Sequence, residues 1–362
     1  MIWTQWGKKE RRPITDSRVI KMRTFLNTTQ KIIAPLFIVN TGDLVDSAYE
    51  SDFYRTQGQK IEEWIYYNET MQEFGMNSSY YFDMVGNHDI YRDPGFTYFL
   101  NYSVSGSAFK TDQYMITADL GFGKYSFFTL STPENNGLEF PFALGGMLSK
   151  AELDWFEGKL EQKGKYSNWS FVFGHHPIDE LYSKKSASGK AITDIFEFYG
   201  VDMYLFGHGH ENRFDQLGSA VAYETAKLDE REGYYRIVVV DNDGLSTTEQ
   251  PGSVWPAGII TTPTDTRNTR SEKDLQRNAA LTKIRALAWD LTAIRSIEWR
   301  ADRSGPWIPM NSIEGPLYEA DFNSSLKDSR EHLIEIRITS IDDRQTTKSI
   351  TFCSEIRNHY SS

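Results

Sequence analysis

The chain has 362 residues, which predicts about two domains, and its 39% hydrophobic and 14% aromatic content excludes an intrinsically disordered protein. Its formal net charge of −11 argues against nucleic-acid binding, because an acidic surface repels a phosphate backbone. The apolar runs are short compared with the about 20 residues needed to cross a bilayer, so we expect no membrane segment in this sequence.

The first 245 residues alternate short apolar runs with longer amphipathic stretches. The runs predict buried strands at residues 37–39, 81–85, 171–173 and 204–206. The amphipathic stretches predict helices at residues 17–25, 58–74, from 149 onward and 191–199. Ser149 and Glu152 form a Ser-x-x-Glu capping box for the third of these helices. This alternation predicts an α/β layered fold.

The sequence changes character after about residue 250. Three prolines between residues 251 and 263 mark a connecting stretch. Strand-like runs then follow at residues 284–291, 297–300, 317–322, 333–338 and 347–352. We therefore expect a first domain over residues 1–248, a linker and strand over 249–275, and a smaller all-β, immunoglobulin-like sandwich over 276–362. The Cys…Trp…Cys pattern of true immunoglobulin domains is absent.

Four strands of the first half end in glycine-containing turns that carry metal-ligand residue types. The turns read Thr-Gly-Asp at 41–43, Gly-Asn-His-Asp at 86–89, Gly-His-His-Pro at 174–177 and Gly-His-Gly-His at 207–210. Ligands of open α/β sheets bind beyond the carboxyl ends of the strands, so we expect these turns to meet at one site. Imidazoles, a carboxylate and an amide oxygen suit a divalent Mn, Fe or Zn ion.

Five of the seven histidines lie in these turns, namely His88, His175, His176, His208 and His210. His176 is expected to point to the other side of its strand end or to support the site from behind. The remaining two, His332 and His359, lie in the second half, and we interpret them as structural or superficial.

The four turns resemble, in order, four of the five motifs of the calcineurin-like metallophosphoesterases. That resemblance implies a layered β-sandwich flanked by helices. The whole chain further resembles the transmembrane protein 62 family, in which such a domain precedes an immunoglobulin-like domain and, usually, membrane helices. The second resemblance includes the runs at residues 255–261 and 284–288.

The resemblance implies a set of metal ligands. Asp43 would bridge two divalent ions, Asn87, His175 and His208 would complete the second position, and His210 would bind the first. Two such ions about 3.5–4 Å apart would clamp a phosphoric ester and activate a metal-bound hydroxide for attack. The implied partner is a phosphate ester, whose identity the sequence leaves open.

The resemblance also implies two catalytic residues. His88 would stabilise or protonate the leaving group, and Asp89 would orient His88. No protein nucleophile is expected, because a Gly-x-Ser-x-Gly elbow is absent and the one cysteine, Cys353, lies far from the turns in sequence. A single cysteine also excludes an internal disulfide or a thiolate zinc cage.

The first motif of the family, Asp-x-His, is missing, since residues 1–40 contain one aspartate, Asp16, and no histidine. We favour a truncated sequence as the explanation, and a degenerate protein is the alternative. As written, the first position keeps only Asp43 and His210, and zinc-type sites usually need three protein ligands. We therefore expect an impaired phosphoesterase, with a non-catalytic binding or scaffold protein on this fold as the alternative.

Six Asn-x-Ser/Thr sequons begin at Asn27, Asn68, Asn77, Asn101, Asn168 and Asn323. They indicate a glycoprotein, with compositional accident as the alternative. The opening residues contain no basic-then-apolar run of a signal peptide. The sequons and the resemblance favour a non-cytosolic or membrane-associated protein, while the compartment itself stays undetermined.

Overall fold

The computed structural model describes residues 17–45, 58–121, 123–133, 145–163, 167–228, 233–269, 272–328 and 330–354. The chain divides into two compact units, residues 1–30 with 34–235 and residues 31–33 with 236–362. Asp16 and His359 lie outside the described residues. Among the helices that the structure describes, none is both long and apolar enough to cross a membrane.

The described residues form seven α-helices and twenty β-strands. The helices are α1 (Ser17–Thr28), α2 (Ile61–Glu73), α3 (Thr97–Tyr102), α4 (Val104–Phe109), α5 (Lys150–Lys163), α6 (Ile192–Tyr199) and α7 (Glu272–Ala280). The first ten strands are β1 (Ile38–Asn40), β2 (Tyr81–Asp83), β3 (Met115–Asp119), β4 (Lys124–Thr129), β5 (Gly146–Leu148), β6 (Trp169–Phe173), β7 (Leu181–Ser183), β8 (Met203–Phe206), β9 (Phe214–Leu217) and β10 (Ala220–Glu224). The other ten are β11 (Tyr234–Asp241), β12 (Gly244–Pro251), β13 (Ala257–Thr262), β14 (Lys283–Trp289), β15 (Ile294–Ala301), β16 (Ser304–Pro309), β17 (Asn311–Glu314), β18 (Leu317–Asp321), β19 (His332–Ser340) and β20 (Gln345–Phe352).

The main sheet of the first unit has the strand order β3-β4-β6-β8-β10-β9. Its four inner strands run parallel, and β3 and β9 pair antiparallel at the edges. Strands β6 and β8 are buried along their whole length, as expected when both faces of a parallel sheet are covered. Because the inner strands are parallel, the turns that follow them lie at one edge of the sheet.

A second, two-stranded sheet joins β1 and β2 in parallel. The ring of Phe37 packs edge-on against Phe82 and Phe127, with centroid distances of 5.6 and 4.8 Å. Phe127 in turn stacks on Phe171 at 5.1 Å. Edge-to-face and offset ring pairs of this kind hold the small sheet on the large one. The layered α/β arrangement predicted from the sequence is confirmed.

Helices α5 and α6 cover the other side of the main sheet. Phe156 of α5 packs edge-on against Phe128 of β4 at 5.6 Å and against Phe196 of α6 at 6.0 Å. The capping box of α5 is present as predicted, because the Ser149 backbone N–H donates to the Glu152 carboxylate at 2.6 Å and the Glu152 N–H donates to Ser149 Oγ at 3.3 Å. These contacts hold β6 and its following turn in place.

The second unit contains two antiparallel four-stranded sheets, β13-β14-β18-β17 and β16-β15-β19-β20. Both sheets contribute to one buried cluster that includes Ile284, Trp299 and Ile336. The alternating isoleucines of β19 predicted from the sequence, Ile334 to Ile338, are all fully buried. The C-terminal part is therefore an all-β sandwich, as expected.

Sequence analysis did not predict α7, which lies before β14. Only three of its nine residues are apolar, namely Leu275, Ala279 and Ala280, so it contains no apolar run that marks a buried element. An ion pair at i and i+3 between Asp274 and Arg277, 3.0 Å apart, lies on this helix. The Arg277 guanidinium also donates to the carbonyl of Asp243 at 2.6 Å. Polar contacts thus tie α7 to the turn between β11 and β12.

His332, interpreted from the sequence as structural or superficial, is a buried structural residue of the second unit. Its Nδ1 lies 2.8 Å from Asp302 Oδ2, and its Nε2 lies 3.0 Å from Asp328 Oδ1. Burial alone would lower the pKa of His332, but the hydrogen bonds and charges of the two aspartates raise it above its ordinary value.

A raised pKa in the folded state makes the charged form of His332 stabilising. This contribution is complete below the unfolded pKa of about 6.5 and is lost as the pH rises through the higher folded pKa. We expect the second unit to be less resistant to urea at alkaline than at mildly acidic pH. Hydrogen exchange of β19 in the full chain should report this, and His332→Gln should remove the dependence. An unchanged pH dependence in that variant would contradict the assignment.

Candidate metal centre

The four turns predicted to meet do so at the carboxyl ends of β1, β2, β6 and β8. Asp43 follows β1, Asn87 follows β2, His175 follows β6 and His208 follows β8. Asp43, Asn87 and His175 are at most 1% exposed, and His208 is partly buried. Residues 132 positions apart in sequence, Asp43 and His175, thereby come into contact.

The polar atoms of these residues lie unusually close to one another. His175 Nε2 is 2.9 Å from Asn87 Oδ1 and 3.4 Å from Asp43 Oδ2. His208 Nδ1 is 3.1 Å from Asn87 Oδ1 and 3.2 Å from His175 Nε2. His175 Nε2 is thus surrounded at hydrogen-bond or ion-pair distance by Asn87 Oδ1, His208 Nδ1 and Asp43 Oδ2.

Neighbouring groups fix which atoms face inward. His175 Nδ1 lies 2.8 Å from the Thr41 carbonyl, which can only accept, so Nδ1 carries a proton, and in the neutral ring Nε2 presents the lone pair. Burial alone would lower the pKa of His175, but the charge and hydrogen bond of Asp43 raise it overall, which favours a second proton on Nε2 when no metal is bound. The Asn87 amide donates from Nδ2 to the Tyr91 hydroxyl at 2.7 Å, which turns Oδ1 toward the histidines. Such outer hydrogen bonds orient metal-binding side chains in proteins.

His208 presents its Nδ1 to the same atoms, at 3.1 Å from Asn87 Oδ1 and 3.2 Å from His175 Nε2. Its Nε2 faces a carboxylate oxygen of Glu180 at 3.6 Å, which is longer than a hydrogen bond.

The resulting pocket fits a divalent cation. Asp43 Oδ2, Asn87 Oδ1 and His208 Nδ1 are electron-pair donors, as is His175 Nε2 in the neutral ring. Their mutual approach is repulsive unless a proton on His175 Nε2 or a metal cation lies between them. Ligand atoms about 2.0–2.1 Å from a zinc-type ion are about 2.9–3.4 Å from one another in octahedral or tetrahedral geometry. The observed separations of 2.9–3.4 Å cover that range.

Backbone conformation at the centre is strained. Asp43, His208 and His210 have φ values of 55°, 78° and 65°, in the left-handed region that residues with a Cβ rarely adopt. Strain of this kind is retained where surrounding structure over-determines it, and it clusters at functional sites. All three strained residues belong to the predicted ligand set.

The Asp43 turn leaves no room for a side chain at Gly86. A Cβ atom on Gly86 would lie 2.2 Å from the Asp43 backbone nitrogen and from its Oδ1. The Gly-Asn-His-Asp turn therefore needs glycine at its first position so that the two backbones can approach.

Burial and neighbouring charges set the ionisation of each residue at the centre. Burial alone would raise the pKa of Asp43, but the imidazoles of His175 and His88 lower it overall, so the carboxyl is ionised. Burial lowers the pKa of His208 to about 3 and that of His210 to about 4. Both histidines are neutral at pH 7, as a metal ligand must be.

His210 lies in the electrostatic field of this group. Besides burial, the charge of Lys227 lowers its pKa, with smaller effects from Asp43, His175 and His88. Its role as a ligand of the first metal position stays a prediction.

The two predicted catalytic residues form part of the same turn structure. The His88 backbone N–H donates to Asp43 Oδ1 at 3.0 Å, and the His88 ring lies 5.2 Å from that of Tyr91. Asp89 accepts from the backbone N–H groups of Val45 at 3.0 Å and Gly86 at 2.8 Å. Burial, and then the charge of Asp43, raise the pKa of Asp89. These contacts hold the Asp43 turn, and orientation of His88 by Asp89 stays a prediction.

A family comparison identifies the fold around this centre. The family model of the calcineurin-like phosphoesterases matches residues 19–212, which is more than half of the chain and includes every residue of the centre. The chain belongs to the calcineurin-like phosphoesterase family. Members of this family depend on metal ions, in agreement with the donor set.

Individual relatives cover different parts of the chain. Transmembrane protein 62 of Mus musculus is 25% identical over 360 residues, which is 94% of this chain and 53% of the mouse protein. A protein of Arabidopsis thaliana named as a metallophosphoesterase is 28% identical over 205 residues, 53% of this chain and 27% of its own length. The chain therefore spans about half of the first relative and about a quarter of the second.

Among solved structures, the chain is similar to GAP50, the anchor in the inner membrane complex of Plasmodium. The TM-score is 0.41 with 14% identity, over 69% of this chain and 84% of that one. A purple acid phosphatase from yellow lupin seeds gives a TM-score of 0.37 with 10% identity, over 91% of this chain and 49% of that one.

Within this calcineurin-like centre, His176 lies beside His175 and His208. Its ring lies 4.4 Å from that of His208, and one ring nitrogen from each of His175, His176 and His208 lies within 4.8 Å of the other two. Thr132 Oγ1 accepts the backbone N–H groups of His175 and His176 and lies 3.0 Å from His176 Nδ1. Since both lone pairs of the hydroxyl are used, its proton goes to Nδ1. Nδ1 is therefore engaged, so a metal at this residue would bind Nε2, and the expectation that His176 only supports the site stays a prediction.

Sequence analysis missed Glu224, which supports the Gly-His-Gly-His turn. The side chain is 2% exposed, and its Oε1 accepts the Glu211 backbone N–H at 3.4 Å. A Cβ atom on Gly209 would lie 2.7 Å from this oxygen. Burial raises the pKa of Glu224 to about 7. Glu224, Thr132 and Tyr91 belong to no motif, so only spatial proximity identifies them.

Substitution of Gly86 tests whether the close approach of the two turns forms the metal centre. Gly86→Ala should displace Asp43 and lower the metal content of the purified chain, measured by plasma mass spectrometry. Gly158→Ala is the matched control, since a Cβ there meets nothing within 4 Å and helix α5 should gain about 0.5–1 kcal/mol. Equal metal content in wild type and Gly86→Ala would contradict the geometry described here.

Proposed function

We propose that this chain is a metal-dependent phosphoesterase in which Asp43, Asn87, His175 and His208 form the second metal position. The observation that supports the assignment is the convergence of four electron-pair donors at 2.9–3.4 Å. Mn, Fe and Zn all accept imidazole together with carboxylate or amide oxygen, so metal analysis of the purified chain is the measurement that distinguishes them.

We propose a weaker first position, made by Asp43 and His210. Two protein ligands are fewer than the three usual for a zinc-type site. A phosphoesterase with a weakly occupied first position would retain substrate binding at the second and have low turnover. This is the basis for proposing that the chain, as its sequence stands, is an impaired enzyme.

A bound ion would act as a Lewis acid on a phosphate oxygen and lower the pKa of a water molecule. The residues of the chain perform the remaining tasks. Asp43, ionised and buried, supplies the negative charge that retains a cation. His88 is proposed to donate a proton to the leaving group as the ester bond breaks. Because its backbone N–H is bonded to Asp43, the position of His88 is linked to that of the metal ligands.

A non-catalytic binding or scaffold protein is the second candidate. It is favoured by the small number of ligands proposed for the first metal position, Asp43 and His210, against the three usual for a zinc-type site. On this proposal the second unit makes the contacts with a partner. We propose that the second unit is immunoglobulin-like, because the eight strands of its two four-stranded sheets, lettered in chain order, give the sheets A-B-E-D and C′-C-F-G of that fold.

We further propose a membrane-associated, non-cytosolic setting. Support comes from the mouse relative, which is named a transmembrane protein and aligns with 94% of this chain.

Removing a ligand tests the metal position directly. Asn87→Ala should abolish tight metal binding, and Tyr91→Phe should weaken it about 10–100-fold, because the amide loses the hydroxyl that orients it. Asn101→Ala is the matched control, since Asn101 is exposed on α3 and its side chain bonds to the Thr97 carbonyl of the same helix. Calorimetric titration with Mn²⁺ and Zn²⁺ gives the affinities. Metal binding unaffected by Asn87→Ala would refute the assignment.

Turnover separates the enzyme from the binding protein. The purified full chain with added Mn²⁺ should hydrolyse p-nitrophenyl phosphate slowly, and chelation should abolish the activity. His88→Asn should retain the metal and lose more activity on phenyl phosphate than on p-nitrophenyl phosphate, because the poorer leaving group needs the proton more. Bound metal without any turnover would support the scaffold instead.

A further inference from the structure

The six sequons differ in whether their two chemically essential groups are accessible. N-glycosylation attaches a sugar to asparagine Nδ2, and the motif also requires the hydroxyl of the third residue. In four sequons the third residue is at most 5% exposed; the residues are Thr29, Thr70, Ser103 and Ser170. Their asparagines, Asn27, Asn68, Asn101 and Asn168, lie in or next to regular helices and strands.

Three of these four asparagines also have structural hydrogen bonds. Asn68 on α2 is partly buried, and its Nδ2 donates to the Tyr102 carbonyl at 2.8 Å. Asn101 on α3 donates from Nδ2 to the Thr97 carbonyl at 2.8 Å. Asn168 accepts the Lys124 backbone N–H at 2.9 Å. A branched glycan at these positions would compete with the helix or strand that contains them.

Asn77 also donates from Nδ2, to the Gly75 carbonyl at 3.2 Å, but it does so within an exposed turn and not within a helix or strand. It lies in the turn between α2 and β2, and both Asn77 and Ser79 are exposed. Asn77 Oδ1 accepts the Ser79 backbone N–H at 3.0 Å and the Ser79 hydroxyl at 2.5 Å. The carboxamide and the hydroxyl are therefore side by side on one exposed turn, an arrangement that asparagine favours.

Asn323 repeats this arrangement in the second unit. It lies in the turn that follows β18, and residues Asn323 to Ser325 are all exposed. The Ser325 backbone N–H donates to Asn323 Oδ1 at 3.0 Å. The two units thus each present one sequon in a compact exposed turn.

We propose that Asn77 and Asn323 are the N-glycosylation sites of this protein and that the other four sequons are not used. The co-substrate is an oligosaccharide linked to a lipid pyrophosphate. The asparagine Nδ2 bonds to the sugar C1, the bond from C1 to the pyrophosphate oxygen breaks, the lipid pyrophosphate leaves with the electron pair, and Nδ2 loses one proton. The proposal is independent of the metal centre.

Expression of the full chain behind an appended secretion signal in a eukaryotic cell tests the assignment. Intact mass and peptide mapping before and after amidase deglycosylation should give two glycans, at Asn77 and Asn323. Asn77→Gln and Asn323→Gln should each remove one glycan, and the double variant should remove both. Asn27→Gln and Asn101→Gln, which change equally exposed sequon asparagines, should leave both in place.

Ser79→Ala and Ser325→Ala remove the hydroxyls and leave the asparagines intact, so they test the same sites if an asparagine variant folds poorly. Each should remove the glycan of its own sequon. A secreted chain without glycans, or with glycans at Asn27, Asn68, Asn101 or Asn168, would overturn the proposal.

Discussion

Electron-pair repulsion at the centre of the first unit is the constraint on which its functional interpretation depends. Four donor atoms from four separate turns converge, with four of their separations between 2.9 and 3.4 Å, and three of the four residues are buried from water. Buried polar groups normally pair with groups of opposite character. Thr41 and Tyr91 supply such partners to the outward-facing atoms of His175 and Asn87, and the inward-facing atoms need a proton or a metal cation among them.

The fold opposes this repulsion with rigid packing. The aromatic layer of Phe37, Phe82 and Phe127 holds the small sheet on the large one, so the turns after β1 and β2 cannot separate from those after β6 and β8. Left-handed backbone at Asp43 and His208 adds a local cost that this packing must offset. The free energy of a bound cation would relieve both the repulsion and part of the strain, and metal binding is thus coupled to folding.

The two proposed metal positions differ in their number of ligands. The second would have Asp43, Asn87, His175 and His208, of which His175 and Asn87 are oriented by hydrogen bonds to Thr41 and Tyr91. The first would have Asp43, which both would share, and His210. An impaired enzyme and a metal-containing scaffold are both consistent with this asymmetry, and they differ only in whether an ester is turned over.

Local sequence determined the elements and the chemistry of this protein. The apolar runs identified β1, β2, β6 and β8, and the residues after them identified Asp43, Asn87, His175 and His208, because strand periodicity and ligand type are properties of neighbouring residues. The capping box of α5 and the buried isoleucines of β19 are local patterns of the same kind. Helix α7 is short and mostly polar, and it was recognised only in the structure.

Tertiary structure decided everything that depends on contacts between distant residues. The hydroxyl of Thr132 engages His176 and thereby removes its Nδ1 from the ligand set, Tyr91 orients the Asn87 amide, and Glu224 supports the histidine turn. None of these pairs has a fixed sequence spacing. All six sequons match the same Asn-x-Ser/Thr pattern. The third residue is buried in four of them and exposed in those of Asn77 and Asn323. Burial and hydrogen-bond direction arise only when the chain folds, which is why sequence alone could not determine them.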